Sequence, residues 1–203
     1  MKLYYSPGAC SLSPHIALHE AGLAADIVRV DIKAKKLADG SDFLSINPKG
    51  QVPTLQLDDG QVLTEGPAIV QYIADQAPAK GLAPAAGSFE RYRLMELLNY
   101  VSTEIHKNFS PLFNPATSAD AKESAKKTLS TKFAHVATLL AGKDYLMGDR
   151  FTVADGYLFT VLGWTRHGGI DLGQWPVLGE YLARVGARPA VQEAMKAEGL
   201  VRG

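Results

Sequence analysis

The sequence contains one cysteine, Cys10. A single thiol excludes an intramolecular disulfide framework and every zinc site built from several cysteines. His15 and His19 have an i, i+4 spacing, but two ligands are too few for a zinc site, so we predict no metal. Three roles stay open for Cys10: structural, reactive or intermolecular.

The chain also lacks an excess of either charge, with 21 basic and 21 acidic residues. Because no stretch concentrates Lys and Arg, we expect no nucleic-acid partner. No apolar run is long enough to cross a membrane, and the start of the sequence has no signal-peptide pattern. We therefore expect a cytoplasmic protein without a membrane partner.

Apolar residues are plentiful, at 46% of 203 residues, which is enough for packed cores. The first part of the chain predicts a strand, a helix that stops at Gly22, a strand, a hairpin around Asp58-Asp59-Gly60 and a helix. The elements fall at residues 2–6, 12–20, 26–31, 54–63 and from Glu65 onward.

Residues 76–88 are rich in Pro, Ala and Gly, as interdomain linkers are. Beyond them apolar residues recur at helical spacing, first from Leu94 to Ile105. Thr152 and Asp155 form a capping-box pattern that we interpret as the start of a core helix. The sequence predicts an α/β domain at 1–77, a linker at 78–87 and an all-α domain at 88–203.

Cys10 follows the predicted turn from the first strand into the first helix. Free N–H groups and the positive end of a helix dipole stabilise a thiolate at such a position. Composition alone favours a buried, inert cysteine. The position nevertheless makes Cys10 a candidate reactive thiol.

Two further positions suit an extended peptide ligand. Val52-Pro53 follows a turn-rich segment in which a cis bond would expose the backbone of Val52 for pairing, although trans is the general default. Glu65 and Gly66 begin a helix whose N–H groups can bind a carboxylate while the acidic side chain holds an amine. The alternative for Glu65 is a partner of the helix dipole alone.

Asn99, Thr103 and His106 share a polar face of the predicted 94–105 helix, at about 100° per residue. Such a face is usually only solvated. Histidine there can instead be a proton or hydrogen-bond partner for sulfur. The sequence leaves both interpretations open.

Five segments together resemble the bacterial beta class of glutathione transferases: KLYYSPGACSLSPHIAL, NPKGQVPTL, LTEGPAIVQYIAD, LNYVSTEIHK and FTVADGYLF. The resemblance spans the chain in register. It implies a thioredoxin-like N-terminal domain, an all-helical C-terminal domain, a homodimer with one glutathione site per subunit, and a role in detoxification.

The resemblance also implies the site. Cys10 would contact the glutathione sulfur, Lys35 would hold the glycine carboxylate, and Val52, before a cis Pro53, would pair with the cysteinyl backbone. Glu65 and Gly66 would bind the γ-glutamyl end, where many relatives carry Ser in place of Gly66. The remaining implied contacts, some from a partner subunit, are Asn99, Thr103, Glu104, His106 and Lys107.

On this basis we predict transfer of the glutathione thiolate to small hydrophobic electrophiles, such as chlorinated aromatics, with Cys10 and His106 as sulfur partners. The C-x-x-S arrangement from Cys10 to Ser13 leaves thiol-disulfide or peroxide reduction open. The alternative to an enzyme is a non-catalytic protein of the same fold that carries a ligand or acts as a regulator. The second substrate would contact aromatic residues of the helical domain, drawn from Phe109, Phe113, Trp164 and His167.

Overall fold

A five-stranded sheet organises the first part of the chain in the computed structural model, which describes residues 1–201. Its order is β3-β2-β1-β4-β5, with β1 parallel to β2 and the other neighbours antiparallel. Central β1 is apolar at Leu3 and Tyr4, which are both buried. The strands are β1 (Lys2–Tyr5), β2 (Asp26–Asp31), β3 (Lys36–Leu37), β4 (Thr54–Gln56) and β5 (Val62–Thr64).

Helices make up most of the rest of the described chain. Short 3-10 turns occupy Phe43–Ser45, Pro78–Lys80 and Leu172–Gln174, and a π-helical segment spans Val101–His106. The α-helices are α1 (Leu12–Ala21), α2 (Gly66–Gln76), α3 (Phe89–Tyr100), α4 (Lys107–Phe113), α5 (Ala119–Leu140), α6 (Val153–Gly163), α7 (Thr165–Gly168), α8 (Pro176–Gly186) and α9 (Pro189–Ala197). No helix among the described residues is long and apolar enough to span a bilayer.

The contacts divide the described chain into two units, one from Met1 to Ala83 together with residues 188–201, the other from Pro84 to Ala187. The sequence placed everything from residue 88 in the helical domain. The last segment instead packs on the first unit, where α9 contacts α1. A buried hydrogen bond of 2.9 Å joins His15 Nδ1 to Glu198 Oε1, and the other carboxylate oxygen of Glu198 accepts from the Gly8 N–H.

Local patterns of the first unit match their sequence predictions. Gly22 ends α1 in the left-handed conformation, with φ of 68°. Thr54 and Thr64 face each other in the predicted antiparallel hairpin. Strand β3 was not predicted, because the lysine-rich stretch around it has no alternating apolar pattern.

The second unit is a helical core. Its two predicted apolar stripes, from Leu94 to Ile105 and from Leu129 to Leu140, are buried except for the half-buried Leu97. The predicted capping box is present at the start of α6, where the Asp155 carboxylate accepts from the N–H of Thr152 at 2.8 Å. Asp155 also accepts from the Leu146 N–H and the Tyr181 hydroxyl, so one buried carboxylate joins α6 to α8 and to the loop that precedes α6.

The predicted helix from Leu94 to Ile105 is not a single α-helix. Helix α3 ends at Tyr100, and the π-helical segment that follows it contains Thr103 and His106. A π-helix closes its hydrogen bonds over five residues instead of four, which turns the residues after it away from the α-helical register. The prediction that Asn99, Thr103 and His106 share one face assumed 100° per residue throughout. The π-helical segment changes that angle, so the predicted common face does not hold.

Candidate functional site

Cys10 lies in the turn between β1 and α1, as predicted. Its thiol donates to the carbonyl oxygen of Val52, with Sγ and O 3.3 Å apart. The buried side chain of Ser11 fixes the turn, because its hydroxyl bonds to both the N–H and the carbonyl of Ser6. The first unit thus brings together Cys10 and Val52, two of its predicted site residues.

The ionisation of Cys10 differs from the expectation of a stabilised thiolate. Burial raises the pKa of the thiol to about 11, more than the N–H groups of Cys10 and Ser11 lower it. Without a ligand the residue is therefore a neutral S–H donor at physiological pH. The N–H groups at the helix terminus do lower the pKa of Cys10, but the loss of solvation raises it by more.

Asn47 holds the segment before Val52, although its sequence pattern predicted only a turn. Asn47 is buried, and its amide nitrogen donates to the Gln51 carbonyl at 2.8 Å and to the Thr54 hydroxyl at 2.9 Å. The Val52-Pro53 bond is cis, as predicted. Asn47 therefore positions the loop that presents the backbone of Val52.

Lys35 and Glu65 are the two non-glycine residues with positive φ among residues 1–201, at 56° and 69°. Such a conformation is costly for a side chain that has a Cβ, and it gathers at functional sites. The Lys35 ammonium donates to the Gly50 carbonyl at 2.7 Å, and Lys49 pairs with the Glu65 carboxylate at 2.6 Å. The strained backbone thus holds the two charged groups predicted for opposite ends of the ligand.

Gly66 begins α2, and its N–H belongs to the first turn, where amide donors have no intrahelical acceptor. The next residue, Pro67, has no N–H. A Cβ added at Gly66 would lie 3.9 Å from Pro53 Cγ, an ordinary contact. The position therefore has room for a small side chain.

Most of the predicted site residues of the second unit are engaged within it. The Thr103 hydroxyl donates to the Asn99 carbonyl at 3.0 Å, and Glu104 pairs with Lys132 at 2.7 Å. Asn99, Thr103 and Lys107 are exposed. These residues are gathered along α3, the π-helical segment and α4, and their contribution to a ligand site stays a prediction.

His106 has a more specific environment. Its Nδ1 lies 2.6 Å from the Tyr157 hydroxyl, and its ring stands edge-on to that of Trp164 with centroids 4.8 Å apart. Burial, and then the positive charge of Lys107, lower the pKa of His106 to about 4. The imidazole is therefore neutral at physiological pH.

Three of the four aromatic-pocket candidates form one cluster beside His106. The rings of Phe109, Phe113 and Trp164 pack with centroids 5.6 to 5.8 Å apart. Phe109 is fully buried, whereas Phe113 is 47% exposed. His167 is exposed and has no ring contact within the described chain. The exposed edge of this cluster is aromatic, and its role as the second-substrate site stays a prediction.

The comparisons with known proteins agree for both units. Family models match at residues 8–76, "Glutathione S-transferase, N-terminal domain", and at residues 100–189, "Glutathione S-transferase, C-terminal domain". The chain is 46% identical over 200 residues to the glutathione S-transferase GstA of Escherichia coli O157:H7, covering 98% of this chain and 100% of the relative.

Solved structures show the same likeness. A sphingomonad glutathione S-transferase complexed with glutathione is 52% identical with a TM-score of 0.95, and the match covers 99% of this chain and 100% of that one. A bacterial beta-class glutathione S-transferase from Sphingomonas chungbukensis is 51% identical with a TM-score of 0.96, at the same coverage. Both structures resemble the chain over its whole length.

Proposed function

Because this chain belongs to the glutathione S-transferase family, as an enzyme of its bacterial beta class, we propose that it transfers the glutathione thiolate to small hydrophobic electrophiles, chlorinated aromatics among them. The first unit would bind glutathione and the helical unit the electrophile. Catalysis consists of generating the thiolate and positioning it.

The observation that carries this proposal is the strained pair Lys35 and Glu65. Glutathione has a carboxylate at each end and an ammonium group at one. The Lys35 ammonium complements the glycine carboxylate, and the Glu65 carboxylate complements the γ-glutamyl amine. The free N–H of Gly66 then suits the γ-glutamyl carboxylate, and the backbone of Val52 the cysteinyl residue between the two ends.

The neutral thiol of Cys10 favours conjugation over disulfide exchange. Exchange requires the Cys10 thiolate as nucleophile, and a pKa of about 11 leaves little of it at neutral pH. As an S–H donor, Cys10 would instead stabilise the thiolate of glutathione. We therefore propose that thiol-disulfide and peroxide reduction are weaker activities of this enzyme than conjugation.

Two surfaces of the helical unit support the proposed electrophile site and the proposed homodimer. The aromatic edge of Phe113 and Trp164 suits a hydrophobic electrophile. Phe89, Tyr92 and Met95 lie three residues apart on α3 and are 67%, 58% and 38% exposed. An apolar face of this kind fits a homodimer contact, and we propose that the enzyme acts as a cytoplasmic homodimer.

Calorimetric titration with glutathione, followed by conjugation of a chlorinated dinitroaromatic, tests the proposal. We expect Lys35→Met to weaken glutathione binding about tenfold or more, the size of one charge-assisted contact. Lys33→Met, an exposed lysine two residues away, is the matched control and should bind normally. Failure of the wild-type chain to bind glutathione would favour the non-catalytic carrier.

A further inference from the structure

A buried carboxylate lies at the end of α9, on a face where apolar side chains are expected. Val191 and Ala194 of this helix are fully buried, and Glu198 follows them on the same face at helical spacing. The Glu198 side chain is 0% exposed. Burying a charged group is costly unless it is paired and hydrogen-bonded, so the partners of Glu198 indicate what it does there.

Each carboxylate oxygen of Glu198 has a donor in the first unit, to which this segment belongs. Oε1 accepts from His15 Nδ1 and Oε2 accepts from the Gly8 N–H, both at 2.9 Å. The other ring nitrogen of His15 has no hydrogen-bond partner within residues 1–201. His15 therefore orients the carboxylate, and the carboxylate in turn holds the backbone of Gly8.

Gly8 lies in the turn that carries Cys10, two residues before the thiol. Local hydrogen bonds close this turn on itself, among them the one from the Ala9 N–H to the Ser6 carbonyl at 3.0 Å. Such bonds determine the shape of the turn. The bond to Glu198, 190 positions away in the chain, determines where the turn lies on the unit.

Stability alone is a poor explanation for the buried pair of Glu198 and His15. Apolar residues of similar size often replace a buried pair of charges without loss of stability. The segment also has a second attachment to α1, because Arg188 pairs with Glu20 through two hydrogen bonds. What Glu198 adds to this attachment is an acceptor for the Gly8 N–H.

We propose that Glu198 is a positioning residue for Cys10: by holding the Gly8 N–H, it keeps the thiol beside the Val52 carbonyl and limits its contact with water. Cys10 then stays an S–H donor, which in the proposed function stabilises the thiolate of glutathione. This last step rests on the proposed function, whereas the position of the thiol can be measured on the unliganded protein.

Alkylation by iodoacetamide tests the position directly, since Cys10 is the one cysteine of the chain. Glu198→Met keeps a side chain of similar length and removes both acceptors. We expect it to react about tenfold faster than the wild type at pH 8, because a solvated thiol titrates near 8.5 whereas burial raises the pKa of Cys10 to about 11. The midpoint of the rate–pH profile should fall in the same variant.

Two matched variants separate positioning from a general loosening of the fold. Glu198→Gln keeps an acceptor for the Gly8 N–H and should react within about threefold of the wild type. Arg188→Met weakens the attachment at the end of α1 remote from Cys10, and should react like the wild type. Equal acceleration in Arg188→Met and Glu198→Met, or an unchanged rate in Glu198→Met, would overturn the proposal.

Hydrogen exchange on the wild type tests the contact without any substitution, so the proposal can be decided even if Glu198→Met does not fold. The Gly8 amide should exchange at least about tenfold more slowly than that of Gly87, an exposed glycine that also has positive φ. Exchange of the Gly8 amide as fast as that of Gly87 would contradict the role of Glu198.

Conjugation kinetics test the consequence for glutathione. Glu198→Met should lower kcat about threefold to tenfold, the size of one hydrogen bond to the reacting sulfur. The dissociation constant for glutathione should stay near the wild-type value, because Lys35 and Glu65 are unchanged. A loss confined to the dissociation constant would refute positioning. Absence of glutathione binding by the wild type would refute the proposed function instead, while alkylation and exchange would still decide the position of Cys10.

Discussion

Two charged residues of the candidate site in the first unit and one buried carboxylate of the second unit are held in opposite ways. In the first, Lys35 and Glu65 stand on strained backbone, and within residues 1–201 the Glu65 carboxylate pairs with the exposed Lys49 alone. In the second, Asp155 is buried and its carboxylate accepts from several donors. The two charged groups that we propose bind the ligand thus stand on strained backbone, whereas a carboxylate that maintains the fold is held by several hydrogen bonds.

Removing the best-bonded group should have the largest effect. We expect Asp155→Ala to lower the free energy of unfolding by about 4 kcal/mol, from the lost cap and the orphaned N–H groups of Leu146 and Thr152. Urea denaturation measures the loss. Asp120→Ala removes an exposed acidic residue from the first turn of α5 and is the control. A change below about 1 kcal/mol would contradict the role of Asp155.

Two substitutions at Glu65 separate charge from backbone strain. Both Glu65→Gln and Glu65→Gly should weaken glutathione binding about tenfold to a hundredfold, from loss of the contact with the amine. Only Glu65→Gly should also raise the free energy of unfolding, by about 1 kcal/mol, since glycine adopts positive φ without penalty. Calorimetric titration and urea denaturation are the measurements. A destabilised Gly variant would show that the conformation is not strained.

The neutral His106 predicts a pH dependence of stability. Its pKa is about 4 in the folded chain and about 6.5 when unfolded, so between these values only the unfolded chain takes up the proton. Stability should therefore fall as the pH drops from about 6.5 to 4, by about 1.5 kcal/mol for this partly exposed group.

The matched measurement is urea denaturation across this pH range for the wild type and for His106→Gln. The variant should show a shallower fall, because it lacks the titrating group. Equal slopes would mean that solvent reaches His106 enough to leave its pKa near the ordinary value.

The smallest expected effect adds a group to the first unit. Gly66→Ser fits beside Pro53 and supplies the hydroxyl that the family resemblance implies at this position, so glutathione should bind about fivefold more tightly. Gly66→Ala adds the Cβ without the hydroxyl and should bind like the wild type. Identical affinities for the two variants would show that the backbone N–H alone makes the contact.

Much of the fold could be predicted because its signals are local. Gly22, the hairpin and the capping box at Thr152 each depend on residues within a few positions of one another. The family resemblance supplied Lys35, whose positive φ has no signature in a non-glycine residue. Local pattern and resemblance together therefore predicted the residues of the candidate site.

What the sequence did not predict depends on tertiary packing. The π-helical segment has no local signature, and its register changed the face on which His106 lies. The pKa of Cys10 depends on burial more than on its place in the chain. The assignment of the last segment to the first unit rests on contacts such as that between His15 and Glu198, 183 positions apart.

The carboxylate of Glu198 has a consequence for the order in which the protein is assembled. It bonds to the N–H of Gly8, two residues before Cys10, and to buried His15. A ribosome makes residue 198 only after the whole helical unit. The turn that carries the thiol therefore acquires its hydrogen bond to Glu198 only near the end of synthesis, when α9 packs on α1, a helix made at the beginning.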